Sequence, residues 1–346
     1  MTLVVLASQK LLEFPSASGH FWVYMQYAQG LRSLGCDVWW LEEETEDNEA
    51  LETLRLRLER YGLPERLLLE GQPETQDVLD AADLLLNFNY GLEASARMKA
   101  LVDIDPGLLQ FWIKRRQLDV LPHDVYFTTA ERIGEPWIHI HPPVSLELWP
   151  FAYDRDAQAF TTVSSWWGDE WVDEGDERYY ENNKRVSFLE LAELPTKVDQ
   201  TLELALMLGN GDEEDRRQLD RFGWRVRHSL SVTSTPEDYQ AYIQGSRGEF
   251  SCVKPSCLRF LNSWISDRSL CYLASGKPVV VQDTGPSDYL PLGRGLLRFT
   301  TLAEAAEALA AVDADYEGHC LAARELAETY FDARQTAQRI LDVALG

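Results

Sequence analysis

The sequence has 346 residues, 45% of them hydrophobic, with 57 Asp and Glu against 32 Lys and Arg and a net charge of −25. This length exceeds what a single hydrophobic core usually holds, so we expect two domains. The negative charge argues against DNA, RNA and anionic membranes as partners, because their phosphate groups are bound by clustered Lys and Arg.

The cysteines and the hydrophobic segments indicate the cellular compartment. The five cysteines are odd in number and show no Cys-x-x-Cys spacing, which favours reduced thiols over disulfides. The first apolar segment is short and no basic residues precede it, so it does not resemble a secretory signal. No segment approaches the roughly 18 apolar residues of a membrane-spanning helix. We therefore expect a cytoplasmic protein without stable membrane insertion.

The first elements form a β-α-β unit. Residues 2–7 are predicted as a buried strand, and a helix with apolar residues at helical spacing follows and ends at Gly35. Residues 36–41 are predicted as the second strand. His20 lies beside the loop that follows the first strand. The Gly-x-Gly-x-x-Gly fingerprint is absent after this strand, which disfavours a nicotinamide-dependent dehydrogenase.

Strands and helices continue to alternate through the first half of the chain. A helix is predicted at 49–61, and further strands are predicted at 84–88, 101–104, 125–129 and 137–140. This alternation indicates a mostly parallel sheet with helices on both faces. Asp105 follows the strand at 101–104, where a carboxylate can act as a general base or cap a helix. Both interpretations remain open from the sequence.

Two further features lie near the middle of the chain. His139 and His141 share one face of a predicted strand, but no third ligand of suitable spacing is visible; we interpret them as structural and predict no metal site. Residues 142–153 contain three prolines and are predicted as a linker. We therefore predict a first domain at 1–150, a second at 151–330, and a helix at 331–346 that could pack back on the first domain.

The second half repeats the alternation. The predicted strands are 160–164, 202–208, 224–228 and 249–253, and the predicted helices are 184–194, 213–222, 236–244, 303–312, 315–330 and 332–345. A polar loop with Trp166, Trp167 and Trp171 follows the first of these strands. These rings could contact a planar or sugar acceptor, although large aromatic residues are commonly part of the core. Two such halves indicate two facing Rossmann-like domains with a ligand cleft between them.

Residues 266–285 are the most informative stretch. Ser266 is a good helix N-cap, Gly276 and Pro278 end the helix, and residues 279–281 form a short apolar strand. Asp283-Thr284-Gly285 follows that strand. Ligands of open α/β sheets bind outside the carboxyl ends of strands and against helix N-termini. The stretch therefore indicates a site for a phosphate-bearing ligand, or else an ordinary capped helix.

The same stretch carries a family resemblance. The pattern Trp-x-Ser-Asp-Arg-Ser begins at Trp264, and Tyr-Leu-Ala-Ser-Gly at 272–276 and Gln-Asp-Thr-Gly at 282–285 follow it. Tyr-Gln-Ala-Tyr-Ile-Gln-Gly-Ser at 239–246 extends it. Together these segments resemble a group of bacterial proteins labelled glycosyltransferases, with weaker similarity through the first half. The resemblance implies the GT-B fold of nucleotide-sugar glycosyltransferases.

The sequence departs from related enzymes at two places. In the large retaining family with a Glu-x7-Glu signature, the two glutamates would fall at Ser263 and Cys271 of this chain. Because both are missing, contacts to the donor must differ and retaining stereochemistry cannot be carried over. The group also favours Lys-His-Gly where this chain has Lys-Pro-Ser from Lys254, so a His-dependent role there is not implied.

The resemblance implies transfer of a sugar from a nucleotide-diphosphate donor to a small-molecule acceptor, without a metal or other cofactor. A helix N-terminus and basic side chains would stabilise the leaving diphosphate. The residues assigned to donor binding are Arg268, Ser266, Ser269, Lys184, Lys254, Asp283, Thr284 and Gly285. Two alternatives accompany this assignment: a structural ion pair for Arg268, and a plain turn at 283–285.

A base would be needed to deprotonate the acceptor of an inverting enzyme, and Asp105 and His20 are the candidates. Two other functions remain open. One is a nucleotide-sugar epimerase of the same fold, and the other is a non-catalytic nucleotide-sugar-binding protein, which the missing glutamate pair allows.

Overall fold

The computed structural model describes residues 1–16, 18–92, 94, 96–167, 171–175 and 178–346. The chain divides into two compact units. Unit 1 consists of Met1–Ser145 and Phe331–Gly346, and unit 2 consists of Leu146–Tyr330. The division falls inside the proline-containing segment at 142–153. No helix in the described part of the chain is long and apolar enough to cross a membrane.

Unit 1 is a parallel sheet with helices. Its described elements are β1 (Leu3–Ala7), α1 (Ser18–Ser33), β2 (Asp37–Glu42), α2 (Asn48–Arg60), β3 (Leu67–Leu69), α3 (Pro73–Ala81), β4 (Leu84–Asn87), β5 (Lys99–Asp103), α4 (Leu108–Arg115), β6 (Val125–Thr128), β7 (Trp137–His139) and α12 (Ala333–Leu345). The seven strands pair in parallel in the order β3-β2-β1-β4-β5-β6-β7. The central strand β4 is buried along its whole length, as expected for a strand covered on both faces.

The helix α12 belongs to unit 1 although it comes last in the sequence. The Val144 N–H donates to the Phe331 carbonyl at 2.7 Å, and the Ala333 N–H donates to the Val144 carbonyl at 3.0 Å. The helix then packs on α1, where Gly30 lies so close to Ala333 that a Cβ atom would collide with its carbonyl oxygen. Glycine is therefore required at this crossing.

Unit 2 has a second parallel sheet. Its described elements are β8 (Ala159–Ser165), β9 (Trp171–Gly175), β10 (Arg178–Glu181), α5 (Lys184–Glu190), β11 (Thr201–Met207), α6 (Glu213–Phe222), β12 (Arg225–His228), α7 (Pro236–Gln244), β13 (Gly248–Ser251), α8 (Pro255–Phe260), α9 (Asp267–Ala274), β14 (Val279–Gln282), β15 (Leu296–Phe299), α10 (Leu302–Ala314) and α11 (Tyr316–Tyr330). Six strands pair in parallel in the order β12-β11-β8-β13-β14-β15, and β9 and β10 form an antiparallel pair.

The predicted elements agree with these bounds to within a few residues, and the helices α6 and α7 agree fully. The strands β3, β9, β10 and β15 are absent from the sequence prediction. The strand β3 has only three residues, which is too short for a periodic pattern. The strands β9 and β10 carry acidic and basic residues where strands favour β-branched ones, so their sequence is typical of a loop.

Candidate functional site

A pocket in unit 2 lies at the carboxyl ends of β13 and β14, beside the start of α9. The strand order runs through β11 and β12 on one side of β8 and through β13, β14 and β15 on the other. Parallel sheets bind ligands at the carboxyl ends of the strands where the order changes direction in this way. The polar side chains that line this pocket include Lys184, Ser251, Ser266, Arg268, Ser269 and Gln282.

Four of the eight residues assigned to donor binding line this pocket: Arg268, Ser266, Ser269 and Lys184. The open space between them is about 10 Å³, which is the room of a single water molecule. The polar side chains share the pocket wall with apolar ones, among them Val253, Ile265 and Val281. A ligand larger than water would have to displace some of them outward.

Arg268 is buried, with 9% of its side chain exposed. Its Nε donates to Oε1 of Glu249 at 2.7 Å, its Nη1 donates to the Val163 carbonyl at 2.8 Å, and its Nη2 donates to Oγ of Ser251 at 2.6 Å. The structural ion pair is therefore present. A guanidinium has five N–H groups, so two remain without an acceptor among the described residues.

Glu249 is a residue of this site that the sequence analysis missed. Its side chain is fully buried on β13, and its Oε2 has no hydrogen-bond partner among the described residues. Although burial lowers the pKa of Arg268, the nearby Glu249 carboxylate and its hydrogen bond raise that pKa above its usual value, so the guanidinium stays charged. A glutamate on a fully buried strand needs a buried cation, and this was the available signal.

Lys184 is the second cation of the pocket. It is the first residue of α5 and is partly exposed, and its amine has no hydrogen-bond or ion-pair partner in the described chain. Desolvation, followed by the positive charges of Arg268 and Lys254, lowers the pKa of Lys184 to about 7. Lys254 lies at the N-cap of α8, close enough to act on Lys184 electrostatically but not on the pocket wall.

The start of α9 supplies two hydroxyl groups. Ser266 occupies the N-cap position as predicted, but its side chain makes no capping hydrogen bond, so that part of the prediction is wrong. Neither Ser266 nor Ser269 has a partner for its hydroxyl among the described residues. These hydroxyls, the Lys184 amine and two N–H groups of Arg268 have no acceptor among the described residues, and their side chains line one pocket at the positive end of a helix dipole.

Asp283, Thr284 and Gly285 form a turn outside the pocket wall. The Gly285 N–H donates to Oδ1 of Asp283 at 3.0 Å, and the Thr284 hydroxyl donates to the Trp264 carbonyl at 2.6 Å. Gly285 has a φ of 106°, and a Cβ there would meet the Leu261 backbone. The turn is thus present, and donor binding by these three residues stays a prediction.

The two candidate bases lie in unit 1. His20 on α1 shares a 2.8 Å hydrogen bond between its Nε2 and the Tyr24 hydroxyl, and burial lowers the pKa of His20 to about 4. Asp105 lies between β5 and α4, partly exposed. Gly107 occupies the N-cap of α4, so Asp105 does not take the capping position, which was the other interpretation of this carboxylate. Neither base assignment is tested by this geometry.

Two buried carboxyl groups end strands of unit 1 and were also missed. Glu42 ends β2 and accepts hydrogen bonds from the Ser8 hydroxyl and, at 2.6 Å, from the Trp40 indole. Asp103 ends β5 and accepts from Gln110 at 2.5 Å. Burial raises the pKa of both groups to about 7. The sequence feature that could have identified them is an acidic residue at the end of an apolar strand.

The Trp residues after β8 have different environments. Trp166 is buried, and its indole donates to Asp215 at 2.9 Å, so it belongs to the core. Trp167 is 48% exposed and stacks under the Arg185 guanidinium at 4.8 Å. The Trp171 side chain lies outside the described residues. Contact of Trp167 with an acceptor stays a prediction.

Comparisons with known proteins concern the fold. No protein-family model matches the chain, and no curated protein matches it significantly. An alpha-glucosyltransferase in complex with UDP matches with a TM-score of 0.64 at 9% identity, covering 100% of both chains. HepE from Anabaena in complex with UDP-glucose matches with a TM-score of 0.60 at 12% identity, covering 99% of both chains.

A third solved structure agrees. AviGT4, a glycosyltransferase involved in avilamycin A biosynthesis, matches with a TM-score of 0.55 at 14% identity, covering 99% of this chain and 97% of that one. Each similarity spans both parallel-sheet units and the C-terminal helices. The predicted fold class is therefore confirmed: the chain has the GT-B fold.

Proposed function

We propose that this protein is a glycosyltransferase that moves a sugar from a nucleotide-diphosphate donor to a small-molecule acceptor. The observation that supports this most directly is the set of unused donors on one pocket of unit 2. Arg268, Lys184, Ser266 and Ser269 all line it, and Lys254 acts on it from nearby. Against these three cations the neighbouring groups that act on Lys184 include a single carboxylate, Glu249.

The excess of positive charge at this pocket favours binding of a diphosphate. Cleavage of the bond between sugar and diphosphate leaves growing negative charge on the phosphate oxygens, and fixed donors that face that charge lower the barrier. The two unused N–H groups of Arg268 and the Lys184 amine supply positive charge, while the serine hydroxyls and the start of α9 supply neutral donors. We expect this arrangement to work without a divalent cation, so turnover should survive a chelator.

Deprotonation of the acceptor and the stereochemistry of sugar transfer would depend on residues outside this pocket. His20 and Asp105 in unit 1 remain our candidates for a base that deprotonates the acceptor hydroxyl, and an inverting reaction would need one. Burial lowers the pKa of His20 to about 4, so the ring is neutral near pH 7 but is a weaker base than an ordinary histidine. If alanine variants at both positions keep full turnover, the base assignment fails.

A thermal-shift panel of nucleoside diphosphates and their sugars tests the donor. A ligand that binds only the folded protein raises its stability by about 2.7 kcal/mol at a hundredfold excess over its Kd. We expect one nucleotide series to raise the melting temperature. The Ser266→Ala/Ser269→Ala double variant should reduce that shift without unfolding the protein. Lys197→Ala, which changes an exposed lysine of the same unit, serves as the control.

The outcomes separate the three functions. A shift accompanied by sugar transfer to an added acceptor supports the glycosyltransferase. Conversion of the donor to an isomeric nucleotide sugar without acceptor indicates the epimerase. Binding with neither reaction indicates a non-catalytic binding protein. If no nucleotide raises the melting temperature, the assignment of this pocket to a nucleotide sugar is wrong.

A further inference from the structure

A second pocket lies in unit 1, on one face of the sheet at β4 and β5. Its volume is about 550 Å³, within the range of about 300–1,000 Å³ that is typical of small-molecule sites. Leu85 and Asn87 of β4 and Lys99 of β5 line it. Leu85 pairs with Lys99 and Asn87 follows two positions later, so the three side chains share one face of the sheet. Paired strands therefore form the floor of this pocket.

The connection between β4 and β5 explains why this face of the sheet is open. Parallel strands are usually joined by a helix that packs on the sheet, as α2 and α3 join the strands that precede β4. Residues 88–98 contain no helix in the part that the structure describes. Leu92 of this connection and Leu121 of the loop before β6 line the pocket instead. Apolar strand residues thus face a cavity where a helix would ordinarily cover them.

His123 and Asn87 form a polar wall with a fixed arrangement of protons. Nδ1 of His123 lies 2.7 Å from the Leu121 carbonyl, which can only accept, so this nitrogen carries the proton. Burial lowers the pKa of His123, which keeps the ring neutral near pH 7. Its Nε2 therefore accepts from Nδ2 of Asn87 at 2.9 Å, while Oδ1 of Asn87 accepts from the Asn89 N–H at 2.8 Å. These bonds orient the amide before any ligand binds.

The polar groups that remain available on this wall are donors. The Asn87 side chain is fully buried, and the second N–H of its amide has no acceptor among the described residues. Asp124 accepts from the backbone N–H of Lys99 at 2.9 Å, whereas the Lys99 amine has no hydrogen-bond or ion-pair partner in the described chain. Lys99 is also the one charged side chain among the described residues of the pocket wall. A matching ligand presents a negatively charged acceptor on an apolar body.

We propose that this pocket binds a small organic monocarboxylate, whose carboxylate accepts hydrogen bonds from Lys99 and Asn87. The single amine balances the one negative charge, and the leucine side chains of the pocket would contact an apolar or aromatic body. Lys99 is the first residue of β5, at the opposite end of that strand from the candidate base Asp105. The proposed site is therefore distinct from the edge of the sheet that carries this base, and it does not depend on the proposed function.

Fluorine NMR measures the binding directly. The probe para-fluorophenylacetate is titrated into the intact protein, and para-fluorophenylacetamide, which has a similar shape without the charge, is titrated in parallel. A ligand of this size should bind at millimolar concentration or better. We expect the carboxylate to bind about tenfold more tightly than the amide, because a hydrogen bond to a charged group is stronger. Equal affinities, or no line broadening with the carboxylate at millimolar concentration, would overturn the proposal.

Two variants locate the site, and the melting temperature of each verifies that it folds. Lys99→Gln removes the charge and should weaken carboxylate binding by about tenfold while it leaves amide binding unchanged. Leu121→Trp, at a partly exposed loop position, should fill the pocket and abolish binding of both probes. Lys114→Gln is the matched control, because it removes an exposed lysine of the same unit. Carboxylate affinity that stays at the wild-type value in Lys99→Gln would contradict the assignment.

The outcome for this pocket is separate from the outcome for the nucleotide-sugar pocket of unit 2. Failure of the carboxylate to bind, with the nucleotide-sugar thermal shift intact, removes the site in unit 1 alone. Carboxylate binding that depends on Lys99 supports the proposal whether or not any nucleotide raises the melting temperature.

Discussion

The guanidinium of Arg268 and the carboxylate of Glu249 form a buried ion pair that spans α9 and β13. The Nε–Oε1 distance is 2.7 Å, and the two side chains are 9% and 0% exposed. Only one carboxylate oxygen is used, since Oε2 has no partner in the described chain. The pair therefore neutralises a charge inside unit 2, and two guanidinium N–H groups have no acceptor among the described residues.

The first prediction separates the structural role of Arg268 from its role in donor binding. Arg268→Ala leaves Glu249 as an uncompensated buried charge, so we expect a loss of about 3–5 kcal/mol of stability. Replacing both residues by apolar ones, as in Arg268→Met/Glu249→Leu, should restore most of that loss, because buried ion pairs contribute little net stability. Chemical denaturation measures both variants.

The double variant then tests function without the complication of unfolding. We expect it to fold and to show no thermal shift with the nucleotide sugar that stabilises the wild type. Undiminished donor binding by this variant would remove Arg268 from the site.

The second prediction concerns Lys277, whose side chain is fully buried between Gly276 and Pro278. Its Nζ has no hydrogen-bond partner among the described residues, and burial lowers the pKa of Lys277. Removing a buried group that lacks a partner gains about 1–3 kcal/mol, so Lys277→Met should melt at a higher temperature. The gain should shrink at strongly alkaline pH, where the wild-type lysine loses its proton.

Lys197→Met is the control for Lys277, because Lys197 is an exposed lysine of the same unit. We expect it to change the melting temperature little. An unchanged or lower melting temperature in Lys277→Met would contradict the prediction.

The third prediction concerns the pH dependence of Glu42, which is 2% exposed. Burial raises its pKa to about 7, so ionisation destabilises the fold. The penalty is absent below the pKa of the unfolded chain and complete above about pH 7. Glu42→Gln keeps an acceptor for Ser8 and Trp40 but cannot ionise. It should gain stability relative to the wild type between about pH 5 and pH 8, on the order of 2 kcal/mol.

Urea denaturation at several pH values measures this difference. Glu44→Gln, at an exposed position two residues away, should follow the wild type at every pH. A constant difference between Glu42→Gln and the wild type would show that Glu42 does not titrate in this range.

The fourth prediction concerns the crossing of α1 and α12. A Cβ at Gly30 would collide with the Ala333 backbone, so Gly30→Ala should destabilise unit 1 by about 1–3 kcal/mol. An ordinary Gly→Ala change inside a helix would instead stabilise it by about 1 kcal/mol. The sign of the change in stability therefore shows whether a Cβ atom at position 30 collides with the Ala333 backbone.

Limited trypsin digestion provides a second readout, because α12 carries Arg334 and Arg339 on its exposed side. We expect faster cleavage there in Gly30→Ala. Gly211→Ala, where the added methyl group meets nothing within 4 Å, should digest like the wild type.

The sequence predicted features that depend on local chemistry. The predicted helix at 236–244 coincides with α7, and Thr235 caps it through a reciprocal pair of hydrogen bonds with Asp238, three positions along the chain. The alternation of apolar strands and helices likewise predicted two parallel sheets, because each element carries its own periodicity. The division near 142–153 was visible in three prolines.

The remaining features depend on contacts between distant elements. Arg268 on α9 and Glu249 on β13 are 19 positions apart in the sequence. No local sequence pattern predicts that they form an ion pair. Lys184 lies 84 positions before Arg268 in the sequence and reaches the same pocket through the sheet topology. The sequence also could not show that the Ser266 side chain makes no capping hydrogen bond, because the conformation of a side chain depends on its three-dimensional surroundings.

The return of α12 to unit 1 has a consequence for how the protein is made. Residues 146–330 are complete before the ribosome has added the helix that packs on α1, whereas the first 145 residues wait for residues 331–346 to complete their unit. Domains generally fold as units during synthesis, starting from the N-terminus. For this chain we expect the opposite order, because the whole sequence of unit 2 is made first and the face of α1 that contacts α12 is covered only after residues 333–345 have been made.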